Sequence, residues 1–249
     1  MCIRDSNKNI GGVSNLERLT LLMWRKPSLE KKHNATDVAS EMLNIIEITR
    51  ECIPEFSTFY IPASKKNGVK EAVLSKECIE SLLHKSEHNT VLIDKTGYTL
   101  SLFTSLDSLC SCSFLLHIGS GHTRLTDSVL IKFPLCWNWQ NSDVITRIEK
   151  LFMELVKLFC PYWGCVANLG LTNEKKYVVD EMPTTLHWLN FFSESALKKI
   201  GPKKLQAIHS IPNCRIIDSN IIKTSSYPTT TVEENASHNL ARLNSILLR

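Results

Sequence analysis

The hydrophobic period of this chain changes partway along it, and the change limits the folds open to it. From Tyr98 onward apolar and polar residues alternate. Tyr98, Leu100 and Leu102 stand against Thr99 and Ser101; Cys110, Cys112, Phe114, Leu116 and Ile118 against Ser111, Ser113 and His117; Val129, Ile131 and Phe133 against Ser128 and Lys132. Successive side chains of a strand point to opposite faces, so the alternation predicts three strands, each with one buried face. Leu106, Asp107 and Ser108 join the first two, and Gly119, Ser120 and Gly121 open the connection to the third. Connections this short imply antiparallel neighbours. The period then becomes helical: Val144, Ile145, Ile148, Leu151, Phe152, Leu155, Val156 and Phe159 form one broad stripe, with Asn141 or Ser142 as cap and Pro161 as stop.

Earlier in the chain, Val38, Met42, Ile45, Ile46, Thr49 and Ile53 recur at helical spacing between a cap at Asn34 and a stop at Pro54. A shorter helix is expected over Ser75 to Lys85, with Ile79, Leu82 and Leu83 inward, and a loop at Lys65, Lys66, Asn67 and Gly68. Further strands are expected at Tyr162 to Asn168 and Leu186 to Phe192, and a hairpin from Cys214 to Ile217 and Ile221 to Thr224. A last helix should begin at Thr231, where Thr231 and Glu234 fit a capping box, and turn Ala236, Leu240, Leu243 and Leu247 inward. Strands outnumber helices and cluster, which favours an α+β fold, an antiparallel sheet with flanking helices, over a parallel doubly wound one. No Pro/Gly/Ser-rich linker or repeat divides the chain, so residues 7–249 read as a single domain. The first six, Met1 to Ser6 (MCIRDS), resemble the translation of a transposase adapter and stand outside the fold.

Composition excludes several classes. Hydrophobic residues at 43% and charged residues at 22% are ordinary globular usage rather than that of a disordered chain. No apolar run reaches the ~18 residues of a membrane span, and no signal segment opens the chain, so a cytoplasmic protein without membrane contact is expected. The net charge of +4 is spread thinly, its one basic cluster being Lys198, Lys199, Lys203 and Lys204 around Gly201-Pro202. Without a basic stripe, direct nucleic-acid binding is not expected, and these lysines read as a solvated surface. The cysteines beyond Cys2 read as buried free thiols in a reducing compartment.

The nearest approach to a metal site is Cys110-x-Cys112 with His117 and His122. Strand geometry places both thiols on the apolar face and His117 on the other, so one tetrahedral site does not collect them and both thiols should be buried. Gly119-Ser120-Gly121-His122 lacks the lysine and hydroxyl of a phosphate loop and reads as a turn. No Gly-x-Ser-x-Gly, His-Glu-x-x-His or calcium-loop pattern occurs. No catalytic residue, metal or cofactor is therefore assigned, and a protein that is not an enzyme is expected; a small enzyme or nucleic-acid-binding factor whose site assembles only in the fold is the alternative. Trp137 and Trp139, just before the long helix, are either partly exposed anchors for a partner or rings covering the helix N-terminus.

These segments together resemble the bacterial family known as immunity protein 52. Leu22-Met23-Trp24-Arg25-Lys26-Pro27 resembles its N-terminal aromatic-Trp-x-x-Arg signature. The stretch Gly97 to Pro134, reading GYTLSLF, then HIGS, then SVLIKFP, is similar to its three central strands. Cys160-Pro161-Tyr162-Trp163-Gly164 resembles its Trp-Asp-Pro-x-Trp-Gly segment, and Leu186-His187-Trp188-Leu189 its Gly-Trp-Leu-Thr-Tyr. The likeness runs from about residue 20 to the end, with Trp24, Trp163 and Trp188 expected to be structural.

The resemblance implies an antidote that binds and neutralises a cognate toxin, a restriction-endonuclease-fold nuclease domain, by covering its active site without a cofactor. The partner-binding residues expected are Trp137, Trp139 and Asp143, the carboxylate meeting a basic nuclease surface. A local acidic patch at Glu174, Asp180 and Glu181, or apolar contact away from the active site, would serve the same end.

Overall fold

A computed structural model of the chain describes residues 18–28, 33–62, 68–85, 96–122, 125–168, 178–179, 182–228 and 238–248. Within them run β1 (Leu19–Arg25), α1 (Ala35–Cys52), β2 (Phe59–Pro62), β3 (Val69–Ala72), α2 (Lys76–Lys85), β4 (Tyr98–Phe103), β5 (Ser113–Ile118), β6 (Asp127–Lys132), α3 (Ser142–Phe159) and β7 (Trp163–Asn168). There follow β8 (Val178–Val179), β9 (Met182–Pro183), β10 (Leu189–Phe192), α4 (Glu194–Ile200), α5 (Pro202–Ala207), a 3-10 turn at Ile208–Ser210, β11 (Arg215–Asp218), β12 (Ile221–Lys223) and α6 (His238–Leu247). Residues 1–6, the loop residues Lys65 to Asn67, the acidic trio Glu174, Asp180 and Glu181, the capping pair Thr231 and Glu234, and Ala236 lie outside the described residues.

Ten strands form one open sheet in the order β11-β12-β10-β7-β1-β6-β5-β4-β2-β3. Its pairings are antiparallel, and the fold is a single-domain α+β one. The three alternating segments are adjacent: Leu100 lies opposite Leu116, and Leu116 opposite Val129. One face is covered by α1, α2 and α3, which bury Val38, Met42, Ile45, Ile148, Leu151, Phe152 and Leu155 against Leu21, Met23, Phe114, Leu116, Val129 and Ile131. The other face is covered near β7, β10 and β12, where α4, α5 and α6 bury Ala196, Ile200, Leu243 and Leu247 against Phe192 and Ile222. Over β4, β5 and β6 none of the described helices packs on that second face, and Leu115 is exposed there.

This lopsided covering explains which strands the sequence discloses. β4 and β6 alternate between buried and wetter positions because one side meets water. β7 and β10 are buried at every position, and β1 at its first five. Strands enclosed on both faces carry continuous apolar runs without period, so β1 escaped the alternation test. The edge hairpin β2–β3 and the short α4 and α5 were also unforeseen. The helix signals hold: Asn34 Oδ1 accepts from the Asp37 amide, Asn141 Oδ1 from the Asp143 amide, and Ser75 Oγ from the Cys78 amide. α3 ends at Cys160 in the left-handed conformation, φ 49°, ahead of Pro161. At Gly164 packing is tight, since a β-carbon there would stand 3.0 Å from Met23 Cγ and 3.3 Å from the Leu22 carbonyl.

The expectation of buried thiols is corrected: Cys110, Cys136 and Cys160 are exposed. β5 begins at Ser113 rather than Cys110. Cys112 is fully buried, but Cys110 is exposed in the preceding turn. That turn is set locally: Asp107 Oδ1 accepts from the Leu109 amide, and Thr104 Oγ1 from the Cys112 amide. Side-chain hydrogen bonds of Asp and Thr thus override the alternation at its N-terminal end. β5 does occupy an interior position, between β6 and β4.

A charged node joins the layers. Arg25, at the end of β1, donates to Asp127 Oδ2 at 2.7 Å, to Glu41 Oε1 of α1 at 2.5 Å and to the Phe159 carbonyl at 3.5 Å, with its guanidinium carbon 4.5 Å from the Phe159 ring centroid. Asp127 is 1% exposed, and its other oxygen accepts from the Ser120 amide at 3.0 Å. Burial alone would lower the Arg25 pKa, but the hydrogen bonds to Glu41 and Asp127 outweigh it and raise the value. Removing one partner of a buried pair typically costs ~3–5 kcal/mol; Arg25 retains some water contact, so the low end applies. Asp127→Ala should lower the unfolding free energy by about 3 kcal/mol, read from urea midpoints, and a loss below about 1 kcal/mol would show the node to be incidental.

Candidate functional site

An aromatic relay runs from the core to the surface ahead of α3. Phe59 and Phe56, following α1, meet the buried Phe114 ring at 5.6 and 6.2 Å between centroids. Trp137 stacks on Phe56 at 5.5 Å and on Phe133 at 5.8 Å, and Trp139 meets Trp137 edge-on at 5.8 Å. Both indoles are half-buried. Their inner surfaces are fixed against the core while part of each ring remains accessible. The turn is held by its own asparagines: Asn138 Oδ1 accepts from the Gln140 amide, and the Asn138 carbonyl from the Asn141 amide. Asp143, exposed in the first turn of α3, pairs with Arg147, which also pairs with Glu55. The hydrogen bond from Arg147 holds the Glu55 carboxyl below the usual range. The sequence had singled out the tryptophans and Asp143, but not Phe56, Glu55 or Arg147, which reach the site from other segments.

The open face of the sheet presents cross-strand rows. Trp24 faces Ser128, Ser128 faces His117, and His117 faces Thr99; beside them Leu22, Leu130, Leu115 and Ser101 form a second row. Thr99 Oγ1 and His117 Nδ1 lie 2.9 Å apart, and burial lowers the His117 pKa. Leu115 is 39% exposed.

A cleft of about 380 Å³ lies between the start of α3 and the β11–β12 hairpin, lined by Ser142, Thr146, Glu149, Arg215, Lys223 and Tyr227 among others. Lys223, 4% exposed, donates to Glu149 and lies 5.6 Å from the Trp188 ring centroid. The partners are 74 residues apart, so no local pattern announces them. Glu149 is the one carboxylate among the described residues of the lining, and Lys223 donates to it. Among the described residues no group of three or more His, Cys, Asp or Glu is placed to hold a metal ion.

The motif tryptophans are mostly interior. Trp163 is fully buried, Trp188 is 3% exposed and donates to the Ser225 carbonyl at 3.1 Å, and half-buried Trp24 packs 5.2 Å from Trp163. His187, beside them, is buried, and its Nε2 has no hydrogen-bond partner among the described residues. Asn190 holds the backbone there, accepting from the His187 amide at 2.9 Å and donating to its carbonyl at 2.7 Å.

No protein-family model matches the sequence. No curated protein matches it. Among solved structures, the chain is similar to the Pseudomonas aeruginosa T6SS protein PA0821, with a TM-score of 0.56 at 14% identity, over 93% of this chain and 72% of that one. At that identity the likeness is one of fold. Among the described residues no helix is long and apolar enough to cross a membrane.

Burial pushes the His187 pKa down to about 4, whereas an unfolded chain has a value of about 6.5. Between those pH values the unfolded chain binds a proton that the fold refuses. The stability is therefore whole above about pH 6.5 and declines as the pH falls toward 4, by about 3 kcal/mol in all. Urea denaturation at pH 7.5 and pH 5 should show this decline in the wild type and a shallower one in His187→Gln; equal slopes would mean that His187 titrates normally.

Proposed function

We propose that this protein is an immunity protein that binds and neutralises a cognate toxin, a nuclease domain of restriction-endonuclease type, by covering its active site rather than by catalysis. The observation that carries this reading is the fold likeness, across nearly the whole chain, to a protein described as belonging to the T6SS. The motif resemblance from Trp24 to Leu189 points the same way. A secretion-associated setting calls for protein partners, and the surface best suited to one is the turn from Trp137 to Asp143. Its indoles are already fixed on Phe56 and Phe133, so little side-chain freedom is lost on docking. Two carboxylates, Glu55 and Asp143, share one arginine at its rim, leaving net negative charge to face a basic nuclease.

The test is co-expression with the toxin encoded beside it. Cells should survive with the wild type, and folded Trp139→Ala should lose protection through a fall in affinity of about thirtyfold, or roughly 2 kcal/mol. Asp143→Lys should mainly slow association and make it less sensitive to salt. Full protection by folded Trp137→Ala, Trp139→Ala and Asp143→Lys would move the interface elsewhere, and absence of binding by the wild type would end the antidote reading. The cleft beside Lys223 falls within the size range of small-ligand pockets and favours the alternative, a small enzyme. Glu149→Gln separates the two readings, because it alters the cleft and leaves the aromatic turn untouched.

A further inference from the structure

Two exposed cysteines meet at the foot of the aromatic turn. Cys110 sits in the turn before β5, and Cys136 in the segment that leads to Trp137; both are exposed free thiols. The Leu109 carbonyl accepts from the Leu135 amide at 2.8 Å and from the Cys136 amide at 3.2 Å. Disulfides join residues whose α-carbons lie roughly 4.4–6.8 Å apart. A cysteine bonded through its own amide to the carbonyl just before the other cysteine is held in that neighbourhood. The side chains also influence each other, for the neighbouring Cys136 is the largest cause of the raised Cys110 pKa. The alternative for such a pair, a metal site, has no support, since no group of three or more ligating side chains forms among the described residues.

We propose that Cys110 and Cys136 form a reversible disulfide, made by exchange with a small disulfide such as oxidised glutathione, that clasps the Trp137–Trp139 turn to the turn ahead of β5. The exchange is balanced. The Cys136 thiolate attacks one glutathione sulfur and expels a glutathione thiolate; deprotonated Cys110 then attacks the Cys136 sulfur of the mixed disulfide and expels the second. The two protein thiols lose two electrons and two protons, and the oxidant becomes two glutathione thiols. The hydrogen bond to Cys136 chiefly, aided by desolvation and by Asp107, pushes the Cys110 thiol up to about 11. Exposed Cys160 is a built-in control: it lies beyond the far end of α3, an 18-residue helix of about 27 Å.

The experiment uses the purified, reduced, full-length chain and needs no toxin, so it is independent of the antidote reading. After incubation with oxidised glutathione and digestion without reductant, mass spectrometry should find Cys110 and Cys136 peptides joined and lighter by two hydrogens, with Cys160 carrying glutathione. The oxidised protein should melt several degrees higher, as expected when a loop is closed by a cross-link, and exchange its amides more slowly between Pro134 and Asn141. Dithiothreitol should reverse each change. Cys136→Ser should abolish both the link and the melting shift and leave Cys110 as a glutathione adduct. Separate adducts on Cys110 and Cys136 in the wild type, a link to Cys160 instead, or stoichiometric zinc binding lost in Cys136→Ser would each overturn the proposal.

Discussion

The buried Asp127 carboxylate must be neutralised, and the arrangement of the layers follows from how this is done. A lone carboxylate in an apolar interior would cost many kcal/mol. Arg25 meets it from the neighbouring strand, and the same guanidinium reaches Glu41 on α1 and the last carbonyl of α3. One cation thus fixes the rotation of α1, the end of α3 and the register of β1 on β6, where Arg25 faces Asp127 directly. Hydrophobic burial holds the layers together but is non-directional. The node supplies direction.

With the helices so placed, the sheet is covered on one face by α1, α2 and α3 and on the other, among the described residues, near its β12 end. The asymmetry leaves β4, β5 and β6 with a wet surface and encloses β7 and β10 wholly. It also brings the end of α1 beside the start of α3, so that Phe56 and Glu55 meet Trp137 and Arg147. The aromatic turn is therefore a product of helix packing more than of its own short sequence. On the proposed reading this gives a protein ligand a rigid apolar anchor with an acidic rim, and the adjoining thiols give that anchor a redox-sensitive tie.

Much of the architecture could be read in advance where a segment has one wet side. The alternation at Tyr98 to Leu102 and Val129 to Phe133, and the helical stripes from Val38 and Val144, translate directly into elements. β1 could not be read this way, because enclosure on both faces erases the period by which strands are recognised. Cys110 misled for the opposite reason: it matches the period of β5 yet lies in a turn set by Asp107 and Thr104. Of the candidate site, Trp137, Trp139 and Asp143 were visible as residue types. What backs and pairs them was not.

The division has a physical cause. Caps, stops, periods and turns arise from steric and hydrogen-bonding preferences within a few residues, and these the amino-acid sequence determines by itself: the Asn34 and Asn141 caps, the Pro161 exit, the alternating strands. Only the tertiary structure decides which distant groups share a low-dielectric space. Arg25 and Asp127 are 102 residues apart, Lys223 and Glu149 74, and Arg147 and Glu55 92. Cys110 and Cys136 likewise come together only when β5 and β6 are paired. Such contacts depend on desolvation and packing across the whole fold, and no local stretch of sequence encodes them.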